Sequence, residues 1–186
     1  MPPKVKVTKD DIITAAVSII SENGAEAINA RTLASFLDCS TQPIFSNFCS
    51  MDELRLAVLE KAEALYNKYI QDEIACGKYP PYKASGMAYI RFAKEEKQIF
   101  RLLFMRDRTE EAVCESAAFG ELMDSVIKPS TGLGGQKAEL FHLEMWAYVH
   151  GIATMFATGY LDLDWELVSK MLTDAYRGMR KQYGME

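Results

Sequence analysis

The stretch Asn29–Phe48 constrains the fold more than any other part of this sequence. It is predicted to form two short helices joined by a tight turn. Asn29 is a good N-cap for the first helix. Ser40 is predicted to cap the second helix, with Pro43 in its first turn, where no backbone N–H is needed. The apolar face of the first helix consists of Leu33, Ala34 and Leu37.

The second helix of this hairpin has an apolar face and a polar face. Its predicted inner face consists of Ile44, Phe45 and Phe48. Its predicted outer face consists of Thr41, Gln42, Ser46 and Asn47. Small and amide side chains on an exposed helix can hydrogen-bond base edges and phosphates in a DNA major groove. Any helical hairpin with a polar outer face would show the same pattern, so this stretch alone does not separate the two interpretations.

Helices are predicted on both sides of the hairpin. Thr8–Asp11 is a capping box before an apolar helix that ends at Gly24. Ser50–Glu53 is a second capping box, which opens a long helix to Cys76. Further helices are predicted over residues 82–95, 97–105, up to about Lys128, 136–158 and after Asp164, with a loop over Pro129–Gly135. No strand-like alternation appears, so the sequence predicts an all-α fold.

The order and spacing of these elements resemble the TetR/AcrR family of transcriptional regulators. The matching segments are Gly24, Asn29–Ala34, Cys39–Phe48 and Ser50–Leu54. Trp146–Gly151 is similar to the tryptophan…histidine-glycine (WHG) signature of one group of TetR-like C-terminal domains. The sequence departs from the family pattern at three positions. Asp38 replaces the usual turn glycine, Phe45 a tyrosine whose hydroxyl typically meets a phosphate, and Met51 a common lysine.

The resemblance implies about nine helices in two domains. Residues 1–50 would form a three-helix, helix-turn-helix DNA-binding domain, and residues 51–186 a helical ligand-binding and dimerisation domain. The resemblance implies a transcriptional repressor that binds operator DNA as a homodimer and responds to a small, largely hydrophobic effector. The alternative is a TetR-like helical dimer that binds a small molecule or a protein and has weak or lost DNA binding.

The expected DNA contacts lie on the hairpin and on a basic N-terminal arm. They are Lys6, Arg31, Thr32, Ser40, Thr41, Gln42, Phe45, Ser46 and Asn47. The formal net charge is −5, and residues 1–55 carry five Lys or Arg against seven Asp or Glu. Because phosphate neutralisation supplies much of DNA affinity, we expect modest affinity per subunit and reliance on a dimer.

An effector pocket is predicted in the C-terminal region, which carries more large aromatic and methionine side chains than a compact core requires. Its expected lining is Tyr66, Tyr89, Phe92, Phe104, Met123, His142 and Trp146. Methionine adapts to varied ligands, and a few polar groups among apolar ones are typical of ligand sites. A solid core without a cavity is the other interpretation.

A homodimer is predicted through residues 136–158 and 164–182, because the first of these helices is apolar on nearly every side. The expected interface residues are Trp146, Val149, Ile152, Met155, Phe156, Val168, Met171, Leu172, Ala175 and Tyr176. Gly151 lies in the middle of this helix, where glycine costs about 1 kcal/mol relative to alanine. Close approach of another helix would explain that glycine.

Neither an enzyme nor a metal or cofactor site is predicted. The sequence has no HExxH, GxSxG, phosphate-loop or dinucleotide-binding motif. His142 and His150 are separated by about 12 Å of helix, too far to share one metal ion. The four scattered cysteines, the lack of a transmembrane-length apolar run and the lack of a signal-peptide core favour a reducing cytoplasm.

Overall fold

A computed structural model of the protein describes residues 7–106 and 123–185. Within these ranges the chain forms nine α-helices and no β-strand, which confirms the all-α prediction. The first four are α1 (Lys9–Asn23), α2 (Ala30–Phe36), α3 (Gln42–Asn47) and α4 (Met51–Cys76). The others are α5 (Pro81–Glu95), α6 (Lys97–Phe104), α7 (Lys128–Thr131), α8 (Gly135–Thr158) and α9 (Trp165–Gln182).

Two parts of the predictions fall outside the described residues. These are Lys6 and most of the helix expected before Lys128, of which the structure describes only a π-helical turn, Met123–Ile127. The side chain of Met123 also lies outside the described part.

The helix starts near the N-terminus follow the sequence prediction. Thr8 Oγ1 accepts a hydrogen bond from the Asp11 backbone N–H at 3.1 Å, and the Asp11 carboxylate accepts from the Thr8 N–H at 2.9 Å. Asn29 Oδ1 accepts from the N–H groups of Arg31 and Thr32, both at 3.0 Å. Such caps satisfy amides that have no partner within the helix, and each contributes about 1 kcal/mol.

Two predicted helix boundaries and one predicted cap need correction. Thr41, not Ser40, is the N-cap residue of α3, and its side chain makes no capping hydrogen bond. Ser50 Oγ accepts from the Glu53 N–H at 3.2 Å, but the Glu53 carboxylate reaches one residue further than predicted, to the Cys49 N–H at 2.7 Å. The predicted loop Pro129–Gly135 begins instead as α7, because proline is compatible with a helix's first turn.

The described residues form two compact units. One contains the residues up to Tyr66 together with Glu96–Arg106, and the other contains Asn67–Glu95 together with the described residues after 122. The helix α4 contributes its first part to one unit and its last part to the other. The functional division predicted between residues 50 and 51 stays a prediction.

In the first unit, α1 is the central helix. It packs against α2, α3 and α6. Its buried face consists of Ile12, Ala15, Ala16, Ile19 and Ile20. The inner faces of α2 and α3 bury Leu33, Ala34, Ile44 and Phe48. Burial of these side chains is what holds the two short helices, because helices of this length are not stable alone.

In the second unit, α5 is buried on most of its surface and packs mainly against α8. Gly86 of α5 permits a close approach, because a Cβ there would lie 3.1 Å from Leu172 Cδ2 of α9. Glu73, in the last part of α4, is only 2% exposed and pairs with Arg91 of α5 at 2.7 Å. This ion pair, in which the carboxylate is buried and the guanidinium is partly exposed, ties the end of α4 to α5.

Asp38, in the turn between α2 and α3, has a φ of 48°, in the left-handed region that disfavours most residues other than glycine. Asp38→Gly should therefore raise the free energy of unfolding by up to about 1 kcal/mol, after allowance for the greater unfolded-state entropy of glycine. In a chain of this size that is about 2–4 °C in Tm, which circular dichroism would detect. Asp38→Asn removes the charge and keeps the strained backbone, so an equal gain in that variant would contradict this explanation.

Candidate nucleic-acid interface and ligand region

The outer surface of α3 carries fewer available polar groups than the sequence predicted. Gln42 is exposed at its first turn. Ser46 is also exposed, but its hydroxyl donates to the Gln42 carbonyl at 2.9 Å. Thr41, the residue before α3, is half-buried.

Phe45 does not belong to the inner face of α3, where it was predicted to lie. Its side chain is 53% exposed, whereas Ile44 and Phe48 are 0% and 1% exposed. The reason is geometric, because Ile44 and Phe48 lie one turn apart and fill the interior alone. Phe45 projects about 100° away from Ile44 around the helix. It is therefore placed on the surface together with Gln42.

Asn47 is half-buried rather than outward-facing. Its Nδ2 donates to the Pro43 carbonyl at 2.8 Å and to the Val7 carbonyl at 3.4 Å. The side chain therefore ties the end of α3 to the residues that precede α1. A role of Asn47 in DNA binding stays a prediction, but the contacts visible here position α3.

Three of the expected DNA contacts, Arg31, Thr32 and Ser40, differ in availability. Arg31 and Ser40 are exposed, and Arg31 has no carboxylate partner in the described part of the chain. The Thr32 hydroxyl is engaged locally, since it donates to the Ala27 carbonyl at 2.8 Å and accepts from the Asn29 N–H at 3.1 Å. Thr32 thus completes the cap of α2.

Several cations of the first unit are paired with carboxylates. Lys9 Nζ lies 3.2 Å from Glu53 and 4.7 Å from the centre of the Phe48 ring. The Cys49 backbone N–H and then Lys9 hold the pKa of Glu53 below its ordinary value. Lys61 pairs with Asp10 at 3.4 Å. These pairs connect α1 to α4 and the end of α3, and they reduce the positive charge that could meet phosphates.

The predicted effector-lining residues divide between the two units. Tyr66 and Phe104 belong to the first unit, where their rings meet edge to face at 5.2 Å. Tyr89, Phe92, His142 and Trp146 belong to the second, and Phe92 is fully buried against Tyr69. One pocket lined by all of them stays a prediction.

Two tyrosine–histidine pairs join α5 to α8 in the second unit. The Tyr82 hydroxyl lies 3.2 Å from His142 Nδ1, and the Tyr89 hydroxyl lies 2.9 Å from His150 Nδ1. Trp146, one turn from each histidine along α8, is 39% exposed and stacks on His150 with a centroid distance of 4.8 Å. Tyr82 and His150 were not among the predicted effector-lining residues, although the four-residue spacing places His142, Trp146 and His150 on one face of the helix.

Burial lowers the pKa of His142 to about 4, and burial also lowers the pKa of His150. A histidine whose folded-state pKa lies below its unfolded value of about 6.5 stabilises the fold above that pH. Stability should fall as the pH drops from about 6.5 to about 4, because only the unfolded chain takes up the proton. The contribution is at most about 1.4 kcal/mol per pH unit for one proton.

The variant His142→Gln tests this expectation, because its amide oxygen can still accept from the Tyr82 hydroxyl. Its free energy of unfolding, measured by urea titration, should depend less on pH than that of the wild type between pH 6.5 and 4. Parallel profiles would show that His142 is not the titrating group.

Half of the predicted dimer residues are buried within the subunit itself. Val149, Ile152, Phe156, Val168 and Leu172 are each 7% exposed or less. They pack where α8 and α9 meet each other and α5, so they are core residues of one chain. The large apolar side chains that remain exposed on α8 and α9 are Leu140, Leu143, Trp146 and Leu167. A Cβ on Gly151 would meet no atom within 4 Å, so no contact within the described chain explains this glycine.

No helix in the described ranges is long and apolar enough to cross a membrane. Across residues 7–106 and 123–185, no three His, Cys, Asp or Glu side chains come together as potential metal ligands.

Comparison with known proteins gives a consistent result. Residues 82–176 match the family model described as "Tetracyclin repressor-like, C-terminal domain". No curated protein is a significant match in sequence.

Two solved structures share the fold. A TetR-like transcriptional regulator from Rhodococcus sp. RHA1 superposes with a TM-score of 0.68 at 17% identity, over 96% of this chain and 98% of that one. A member of the TetR family from Streptomyces coelicolor A3 superposes with a TM-score of 0.61 at 19% identity, over 88% of this chain and 95% of that one. Since the family model spans half of the sequence, the protein belongs to the TetR family of transcriptional regulators.

Proposed function

We propose that this protein is a cytoplasmic repressor that binds operator DNA as a homodimer and responds to a small, largely hydrophobic effector. The observation that carries the proposal is the hairpin α2–α3. Its inner side chains are buried against α1, while the side chains on the outer surface of α3 remain exposed. An exposed helix held in this way is suited to a major groove. No enzymatic activity is proposed.

The exposed apolar side chains of α8 and α9 support a dimer. Leu140, Leu143 and Leu167 are between 45% and 57% exposed, which costs free energy unless another surface covers them. Gly151 lies on the same helix as the first two, with open space above it. A second copy of the chain, applied with its own α8 and α9, would cover these residues symmetrically.

The surroundings of Trp146 support an effector site. The two tyrosine–histidine pairs supply neutral polar groups among aromatic rings, which is the chemistry of a mostly apolar ligand site. The expected ligand stacks on the exposed indole and hydrogen-bonds one of the two half-buried histidines.

Selection of genomic DNA fragments by the full-length protein tests the proposed function. Enrichment of a few fragments that share a two-fold symmetric sequence is expected, because a symmetric dimer reads two half-sites. Failure to enrich any sequence at low salt would contradict DNA binding and favour the alternative function.

The alternative is a TetR-like dimer that binds a small molecule or protein but has weak or lost DNA binding. The pairing of Lys9 and Lys61 with carboxylates is the observation that favours it. A thermal-shift screen with hydrophobic compounds separates the two functions, since a ligand of the native state raises Tm. Compounds that stabilise the protein without changing its DNA affinity would support the alternative, and loss of the shift in Trp146→Ala would place the site near Trp146.

A further inference from the structure

The side chains of α3 differ in what they can offer to DNA bases. Within the sequence of α3, Gln-Pro-Ile-Phe-Ser-Asn, there is no charged residue. Ser46 and Asn47 are hydrogen-bonded to carbonyl groups of their own chain. Gln42 and Phe45 are therefore the two long side chains that project from α3 into solvent.

These two side chains match one type of base pair. A glutamine amide can make two hydrogen bonds to adenine, at N6 and N7, and an apolar side chain can contact the thymine methyl group. Guanine is usually read by arginine or lysine, and α3 carries neither. Phe45, without a hydroxyl and 53% exposed, gains from any contact that removes its ring from water.

The spacing of Gln42 and Phe45 limits where the two bases can lie. Residues three apart on a helix have their Cβ atoms about 5–6 Å apart, and successive base pairs are separated by about 3.4 Å. The two contacted bases are thus within about two base pairs of each other.

We propose that each operator half-site contains an adenine read by Gln42 and, within about two base pairs, a thymine whose methyl group contacts Phe45. This inference rests on the proposed function and names the DNA sequences that the same surface accepts. A tyrosine in this position would fill the role of Phe45 only in part. The exposed tip of phenylalanine is entirely apolar, whereas that of tyrosine carries a hydroxyl group.

The first experiment is a selection from random double-stranded DNA with the full-length protein. The expected half-site has an adenine and a thymine at the proposed spacing, and Gln42→Ala should lower the preference for that adenine about tenfold. A half-site in which Gln42→Ala changes the preference at a guanine would overturn the inference and leave the proposed function intact. Failure to select any sequence would overturn both.

The second experiment removes single methyl groups from the selected site by replacing each thymine with deoxyuridine. At one thymine in each half-site the wild type should lose about fourfold in affinity, the effect of one buried methyl group. Phe45→Ala should bind both DNAs equally. Phe36→Ala is the matched control, because Phe36 is also 53% exposed but lies on α2, and it should keep the fourfold difference. An equal deoxyuridine effect in the wild type and Phe45→Ala would overturn the inference.

Discussion

Arg91→Ala should destabilise the protein by about 2 kcal/mol, because it leaves the buried carboxylate of Glu73 without a counter-ion. Water reaches the 39% exposed side chain of Arg91, so the loss is smaller than for a fully buried pair. Glu73 is 2% exposed, and Arg91 Nη1 is 2.7 Å from its Oε2. A buried charge that loses its partner keeps the full cost of its desolvation. In a chain of this size such a loss would lower Tm by about 4–8 °C.

Urea or thermal unfolding of three variants measures this effect. Lys94→Ala is the matched control on α5, since Lys94 pairs with Asp162 at 2.6 Å and both side chains are solvent-accessible. Its loss should be about 1 kcal/mol or less. Glu73→Gln combined with Arg91→Ala should recover part of the stability, because the uncharged amide is cheaper to bury. If Arg91→Ala and Lys94→Ala were equally stable, Glu73 would not depend on Arg91.

Gly151→Leu should convert the proposed homodimer into monomers, because a leucine would hold the two copies of α8 apart. The variant Gly151→Ala should have opposite effects on stability in a monomer and in a dimer. In an isolated subunit the added methyl group meets no atom, so alanine should stabilise α8 by about 1 kcal/mol. In a tightly packed dimer the same methyl group should weaken association.

Sedimentation equilibrium at micromolar concentration, together with Tm at two protein concentrations, distinguishes these states. The Tm of a dimer rises with concentration, and that dependence should disappear in Gly151→Leu. Glu22→Leu is the control, because it adds an exposed leucine to α1, in the other unit. A monomeric wild type, or a dimer that persists in Gly151→Leu, would contradict the placement of the interface.

The sequence predicted those parts of the fold that depend on a few neighbouring residues. The caps at Thr8 and Asn29 are examples, because each is formed by groups within three positions along the chain. The end of α1 at Gly24, which has a φ of 85°, is another. Such features can be predicted without knowing what packs against the helix.

The sequence did not predict features that depend on which surface covers a side chain. Phe45 and Phe48 are chemically alike and three residues apart, yet one is exposed and the other is buried against the rest of its unit. Val168 and Leu172 form the apolar stripe expected of an interface, but α5 and α8 of the same chain cover it. An apolar face shows that burial is needed and does not show whether the partner belongs to the same chain.

The hydrogen bond from Asn47 to Val7 has a practical consequence for handling this protein. It places the entry to α1 at the end of α3, and Lys9 over the Phe48 ring holds the same junction. Residue 7 thus lies beside the helix proposed to enter the groove. A tag or fusion partner on the amino-terminal side of the chain can obstruct DNA binding there, or bind DNA through its own charges. Purification for binding assays is better done with a cleavable tag at the carboxyl end, after α9.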